Sequence, residues 1–203
     1  MIYIANKRRK LERIQKQYPN AIILDITSSS PYHYGQILSP FFPHGNIPIP
    51  FSDGETGDSV EGIWQGLKVF EGCGVDETSF HNSSMKKIKR TVRKYGKPLG
   101  HQKGLNSREL LQYGEARELI YIPTYKWVLD NVPEVKEIVN KIADKAKEND
   151  IVFLDYNTNE DWQNLKSPLS HAFLLKLYIE GIYPGMSVEN KPKAIQLSLF
   201  DNL

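Results

Sequence analysis

Apolar residues in the stretch Ser59–Phe70 recur at helical spacing, with Ile63, Leu67 and Phe70 on one flank and Glu61, Gln65 and Lys68 at i, i+4 and i+7 on another. The pattern predicts a helix whose polar strip holds a carboxylate, an amide and an ammonium within two turns. Ser59 suits its N-cap, and the glycines of Glu71-Gly72-Cys73-Gly74 end it. Upstream, residues Lys7 to Gln17 read as helix and Ala21 to Ile26 as a short buried strand. Thr27-Ser28-Ser29-Ser30-Pro31 then breaks the chain. The prolines between Leu38 and Gly57 exclude a helix or a central strand there and leave an ordered loop with an edge strand.

Downstream, 84–95 and Arg108 to Leu119 read as helices, Pro123 interrupts, and a further helical stretch follows. Val135, Ile138, Val139 and Ile142 give the segment from Glu134 to Lys147 an apolar stripe. Ile151-Val152-Phe153-Leu154 reads as a buried strand that delivers Asp155-Tyr156-Asn157-Thr158-Asn159 to a loop, where chemistry is commonly held. Pro168 opens a helix with Leu169, Phe173, Leu174 and Leu177 inside, and Tyr183-Pro184-Gly185 closes the fold. The expectation is an α+β protein, predominantly helical with a small β-sheet: one domain over 1–186, then a linker and tail over 187–203.

Composition narrows the classes. A length of 203 residues with 40% hydrophobic content fits one domain with a well-formed core. No apolar run approaches the roughly 20 residues that span a bilayer. The start, Met1-Ile2-Tyr3-Ile4-Ala5 before basic Lys7-Arg8-Arg9-Lys10, reverses the order of a signal peptide, so a cytoplasmic location is expected; a monomer is the separate expectation for its oligomeric state. Cys73 is the one cysteine, which excludes an internal disulfide; the five histidines are scattered singly, so neither a metal site nor a cofactor is expected.

The net charge of +2 decides little, but its distribution is uneven. From Thr78 to Arg108 there is no acidic residue, while Lys86, Lys87, Lys89, Arg90, Arg93, Lys94, Lys97, Lys103 and Arg108 accumulate. Such a block is either an electrostatic footprint for phosphates or a solvated helix face.

The Glu61 segment resembles the signature helix of the NADAR superfamily of YbiA-like proteins, in which a Ser-Glu pair precedes Gln and Lys at this spacing. Leu38-Ser39-Pro40-Phe41 is similar to that family's Leu-Ser-Asn-Phe loop. Asn159-Glu160-Asp161-Trp162 stands where the family has an Asp before a Trp, and Leu169-Ser170-His171-Ala172-Phe173-Leu174-Leu175 is similar to its closing helix. The chain departs from the pattern at Pro40, at Gly62 in place of a usual His, and at Asn159 in place of the Asp.

The resemblance implies N-glycosidic chemistry, including removal of ADP-ribose from guanine. Cleaving such a bond develops positive charge on the sugar and negative charge on the departing base, which a carboxylate and a donor stabilise. Glu61 is then the candidate for the oxocarbenium and for activating water, shared with Asp155 or Asp161, with Lys68 orienting Glu61 or donating a proton. Ser39, Phe41, Trp64, Gln65, Tyr156, Asn157, Asn159, Trp162 and His171 are candidates for holding substrate. Trp64 equally suits core packing, and His171 a satisfied core or rim position.

At the C-terminus, Gln196-Leu197-Ser198-Leu199-Phe200 resembles the peptide with which bacterial replication and repair proteins dock on the β sliding clamp. Apolar side chains beyond a polar linker suit a partner's pocket, or fold back as a terminal edge strand. Tail, basic block and glycosidase-like residues point together to a DNA N-glycosylase that excises a modified base. If the base belongs to foreign DNA, the protein would serve defence against phage. The alternatives are an ADP-ribosyl-DNA glycohydrolase and a clamp-associated nucleotide-binding module without turnover.

Overall fold

The computed structural model describes residues 1–185, and the sliding-clamp-like peptide at 196–200 lies outside them. In chain order the elements are β1 (Ile2–Asn6), α1 (Leu11–Gln17), β2 (Ile22–Asp25), α2 (His33–Ile37), β3 (Ile47–Pro48), β4 (Thr56–Gly57) and α3 (Val60–Gly66). There follow β5 (Lys68–Phe70), α4 (Glu77–Phe80), α5 (Val92–Tyr95), β6 (Pro98–Gln102), β7 (Leu110–Leu111) and α6 (Tyr113–Ala116). A π-helical turn, Arg117–Tyr121, joins α6 to α7 (Ile122–Asn131), after which come α8 (Pro133–Glu148), β8 (Ile151–Asp155) and α9 (His171–Ile179). The fold is α+β, with its strands divided among three small sheets.

The main sheet has the order β1-β8-β2, all parallel, with Ile2 facing Ile151 and Asn6 facing Asp155. Every residue of the central strand is buried, which is why its sequence is continuously apolar and not alternating. Successive side chains still point to opposite faces. Val152 and Leu154 join Ala5 and Ile14 of α1 in a small cluster on one side, whereas Ile151 and Phe153 enter the large core with Leu129, Leu174 and Leu177 on the other. The same alternation sends Asp155 toward α9.

The helix α3 is buried all round, capped by Ser59, whose Oγ accepts from the Gly62 amide at 3.0 Å. Its glycines let α4 lie close: a Cβ on Gly62 would meet the Ser79 carbonyl oxygen at 2.5 Å. That contact requires glycine at position 62.

Several sequence expectations are corrected. The helix expected over 59–70 stops at Gly66, because Leu67 takes its C-cap and its carbonyl accepts from Gln102 N at 2.8 Å. Lys68 therefore stands on β5, opposite His101 of β6. The basic segment 84–95 is helical only over Val92–Tyr95. Before it, Asn82 binds the Ser84 amide and the Lys86 carbonyl, and Met85 and Lys87 adopt positive φ, so local turn chemistry overrides helix. Residues 108–119 begin with β7 before turning helical, and Pro123 does not interrupt: it follows the π turn inside a continuous helical run from Tyr113 to Asn131. The segment Ile2–Asn6 is a strand, and the first helix starts only at Leu11.

Candidate active site

The three parallel strands end together at Asn6, Asp25 and Asp155, and the loops beyond β2 and β8 open onto a cavity of about 330 Å³. Ligands commonly occupy this end of parallel sheets. Asp25 Oδ1 accepts from the Thr27 amide and hydroxyl at 3.2 and 2.8 Å, turning the chain so that Thr27 and Ser28 line the cavity. Ser29 Oγ and the Tyr156 hydroxyl, 2.6 Å apart, tie the two loops together. The remaining walls come from Ser39 and Phe41, from Glu61, Trp64 and Gln65 of α3, and from Lys68, Lys89, Tyr121 and His171.

Glu61 and Lys68 do not touch directly. Gln65 Nε2 donates to Glu61 Oε1 at 2.9 Å, and Gln65 Oε1 accepts from Lys68 Nζ at 2.9 Å and from the Arg90 amide at 3.0 Å. Both cationic and carboxylate partners fix the amide in one orientation. Burial pushes the Lys68 ammonium below its ordinary value; the charge of Glu61 opposes that, and Arg90 and Lys89 add to it. Trp64 proves to be both core and wall: one face stacks on His101 at 3.8 Å, and it meets Tyr121 edge-on at 5.6 Å. Burial, with Lys68 beside it, pushes His101 down to about 3, leaving a neutral ring behind Trp64.

The second acid has a different setting. Asp155 Oδ2 accepts from Ser170 Oγ at 2.7 Å and from His171 Nδ1 at 3.0 Å, while His171 Nε2 donates to the Ile26 carbonyl at 2.9 Å. Both partners of the imidazole are acceptors, so both ring nitrogens carry protons and His171 is a cation. Burial opposes charge on Asp155, yet His171 and Ser170 outweigh it and hold the carboxyl down to about 2. Burial likewise opposes the charge on His171, and the Asp155 carboxylate overrides it and raises the imidazole. Asp155 therefore lines the cavity as a carboxylate already paired with His171 and Ser170. Burial, then the charges of Glu61 and Asp155, push the Tyr121 phenol well above its ordinary value and keep it neutral.

Of the expected site residues, the fold brings together Glu61, Lys68, Asp155, Ser39, Phe41, Trp64, Gln65, Tyr156, Asn157 and His171, with Lys89 at the rim. Asp161, Asn159 and Trp162 are not on this cavity. Asp161 is exposed and caps a turn through the Gln163 amide, the Asn159 amide holds the carbonyls of Asn164 and Ser167, and Trp162 packs on Phe173 at 6.2 Å. The expectation that Arg90 contacts phosphates is also corrected. It is 4% exposed, and its guanidinium donates to the carbonyls of Gln65, Lys68 and Gly74 and to Cys73 Sγ. Lys103 pairs with Glu109 at 3.1 Å, whereas Lys86, Lys87, Lys89, Arg93, Lys94 and Lys97 are exposed without an acidic partner among the described residues.

Sequence reasoning missed Thr27, Ser28, Tyr113, Arg117 and Tyr121. The last two project from the π turn, a distortion often found at functional sites and one that leaves no periodic signature. Arg117 is 2% exposed and donates to the carbonyls of Trp162, Asn164 and Ser167 at 2.9 Å each, pinning the loop that ends at α9.

Fold and site define an α+β protein with a polar, aromatic-walled cavity at the carboxyl ends of a short parallel sheet. The profile of DUF6939, a family of unknown function, matches residues 6–175, and the chain belongs to that family. A comparison with curated proteins finds no match. No helix among the described residues is long and apolar enough to cross a membrane.

Proposed function

We propose that this chain is an N-glycosidase that acts on a nucleotide of DNA and releases its base. The observation that carries this reading is the Glu61 carboxylate, 8% exposed on the wall of a cavity large enough for a nucleoside and steered by the Gln65–Lys68 chain. A carboxylate so placed stabilises the sugar cation as the C1–N bond breaks and takes a proton from the attacking water, which then adds to C1. The departing base takes up a proton from solvent and leaves as the neutral heterocycle, while Glu61 returns the proton of the attacking water to solvent. His171, held by Asp155 and the Ile26 carbonyl, fixes the shape of the wall beside it. Tyr156 and Trp64 supply aromatic surface. The resemblance to NADAR proteins supports the same chemistry, since Ser39, Glu61, Gln65, Lys68 and His171 all line one cavity.

A second reading, release of ADP-ribose from DNA guanine, is favoured by the ammonium groups of Lys68 and Lys89, which have no carboxylate partner among the described residues and suit a pyrophosphate. A panel of unmodified, hydroxymethylated, glucosylated and ADP-ribosylated DNA separates the two. A freed base with alkali-labile strands supports excision, and free ADP-ribose with intact DNA supports the second. Binding to every substrate without product would leave a nucleotide-binding module and overturn both. Glu61→Gln is expected to lower turnover at least a hundredfold with the melting temperature preserved, in line with loss of a group acting in the transition state; full activity in that variant removes Glu61 from its role.

A further inference from the structure

The Lys7-Arg8-Arg9-Lys10 cluster has no part in the site described above, yet the fold brings its Arg8 onto an aromatic of the cavity wall. The Lys7 amide donates to the Asp155 carbonyl at 2.9 Å, and Asn6 Nδ2 donates to the Tyr156 carbonyl at 3.0 Å, so the loop leaving β1 is fastened to the loop leaving β8. Lys7 is spent on Asp25. The next three cations are exposed and have no acidic partner among the described residues: Arg9 binds only the neutral Gln17 amide, and the Arg8 guanidinium lies 5.1 Å over the ring of Tyr156. Tyr156 lines the cavity.

The 84–95 segment repeats this arrangement from another element. Lys89 Nζ lies 5.3 Å over the ring of Phe41, which also lines the cavity, and Lys86 and Lys87 are exposed just before it. Buried Arg90, bonded to Gln65 and Lys68 carbonyls, anchors that strip to the cavity wall. Two separate basic strips thus each place a cation on an aromatic of the same cavity. Lone surface cations that serve only solubility have no reason to be anchored in this way.

We propose that Arg8, Arg9 and Lys10 form a second backbone-binding strip, and that with Lys86, Lys87 and Lys89 they grip the phosphates on both sides of one nucleotide inserted into the cavity. The ligand is then an internal nucleotide of a single-stranded segment, not a free nucleotide or a strand end. The aromatics beneath the cations offer stacking surfaces to flanking bases without selecting sequence. The inference deepens the proposed function and rests on it for the identity of the inserted group, but strand binding is measured without turnover.

The test is equilibrium binding of the full chain to a fluorescein-labelled 15-nucleotide single strand over a range of salt. Each phosphate contact on a single strand contributes roughly 0.7 to the slope of log affinity against log salt. The triple variant Arg8→Gln, Arg9→Gln, Lys10→Gln is expected to reduce that slope by about 2 and affinity at low salt by roughly tenfold or more, as is Lys86→Gln, Lys87→Gln, Lys89→Gln. Circular dichroism confirms folding. In the unsubstituted protein, the oligonucleotide is expected to shield both Lys10 and Lys89 from amine acetylation, a readout independent of any variant. An unchanged slope in the N-terminal triple variant, an unshielded Lys10, or tighter binding to anionic vesicles than to the strand would each overturn the second strip. Should strand binding behave as expected while no N-glycoside is cleaved, the strip stands and the enzymatic reading falls; cleavage of mononucleotides with no strand binding gives the reverse.

Discussion

At the scale of single residues, the buried pair of Asp155 and His171 makes stability depend on pH in both directions. The carboxyl is held down to about 2 against an ordinary 3.8, so its contribution is complete above that ordinary value and is lost as the pH falls toward 2. The imidazole is raised above 6.5, so its contribution is complete below 6.5 and is lost as the pH rises through its higher folded value. His171→Ala leaves an unpaired buried carboxylate and is expected to cost about 3–5 kcal/mol in urea unfolding. The gap to the unsubstituted protein should be widest between about pH 4 and 6.5, and a gap of equal size at pH 2.5 and 5.5 would contradict the pairing. Much of this chemistry was legible residue by residue. Glu61, Gln65 and Asp155 stand where the pattern put them, and Lys68 reaches Gln65 although it comes from a strand. The partnership of Asp155 with His171 was not, because no spacing rule joins a strand end to a helix start across an irregular loop.

At the scale of elements, the apolar runs were the reliable guides. The stripe of α8 and the run of β8 are recognisable in the sequence because each buries a face or a whole strand. Segments governed by single hydrogen bonds or distant partners were misread or gave no signal. The Asn82 turn opens an expected basic helix that keeps only Val92–Tyr95, and the strand at Ile2–Asn6 depends on a partner near the other end of the domain. The π turn belongs to this class. Arg117 within it carries three carbonyls of the 162–167 loop, and Arg117→Ala is expected to cost about 2–4 kcal/mol because those acceptors lose a charged donor. Hydrogen exchange is the direct measure: amides 162–168 should exchange faster while β8 stays protected. Equal protection in the variant would mean that the loop is held by other contacts, chiefly Trp162 on Phe173 and the Asn159 amide.

At the scale of the whole molecule, the cavity at the carboxyl ends of the strands has Arg8 and Lys89 each over one of its aromatics. We propose that the tail at 196–200 brings that cavity to DNA by docking on a sliding clamp, which raises local concentration without adding a contact in the cavity. Leu199→Ala with Phe200→Ala is expected to abolish capture of a bacterial β clamp while cleavage of short oligonucleotides persists; equal capture by both versions refutes the tether. The architecture also bears on how the chain reaches its native state. The middle strand of the main sheet is the last of the three in sequence, and it slots between two that are made at the very start, Ile2 opposite Ile151 and Ile22 opposite the same residue. During synthesis the two early strands therefore have no native neighbour until the ribosome has released most of the domain. Such distant pairing is slow and leaves strand edges open to the wrong partners. Nascent chains arrested before residue 151 should consequently recruit chaperones heavily, and release of β8 should mark the moment at which the cavity end of the sheet is first assembled.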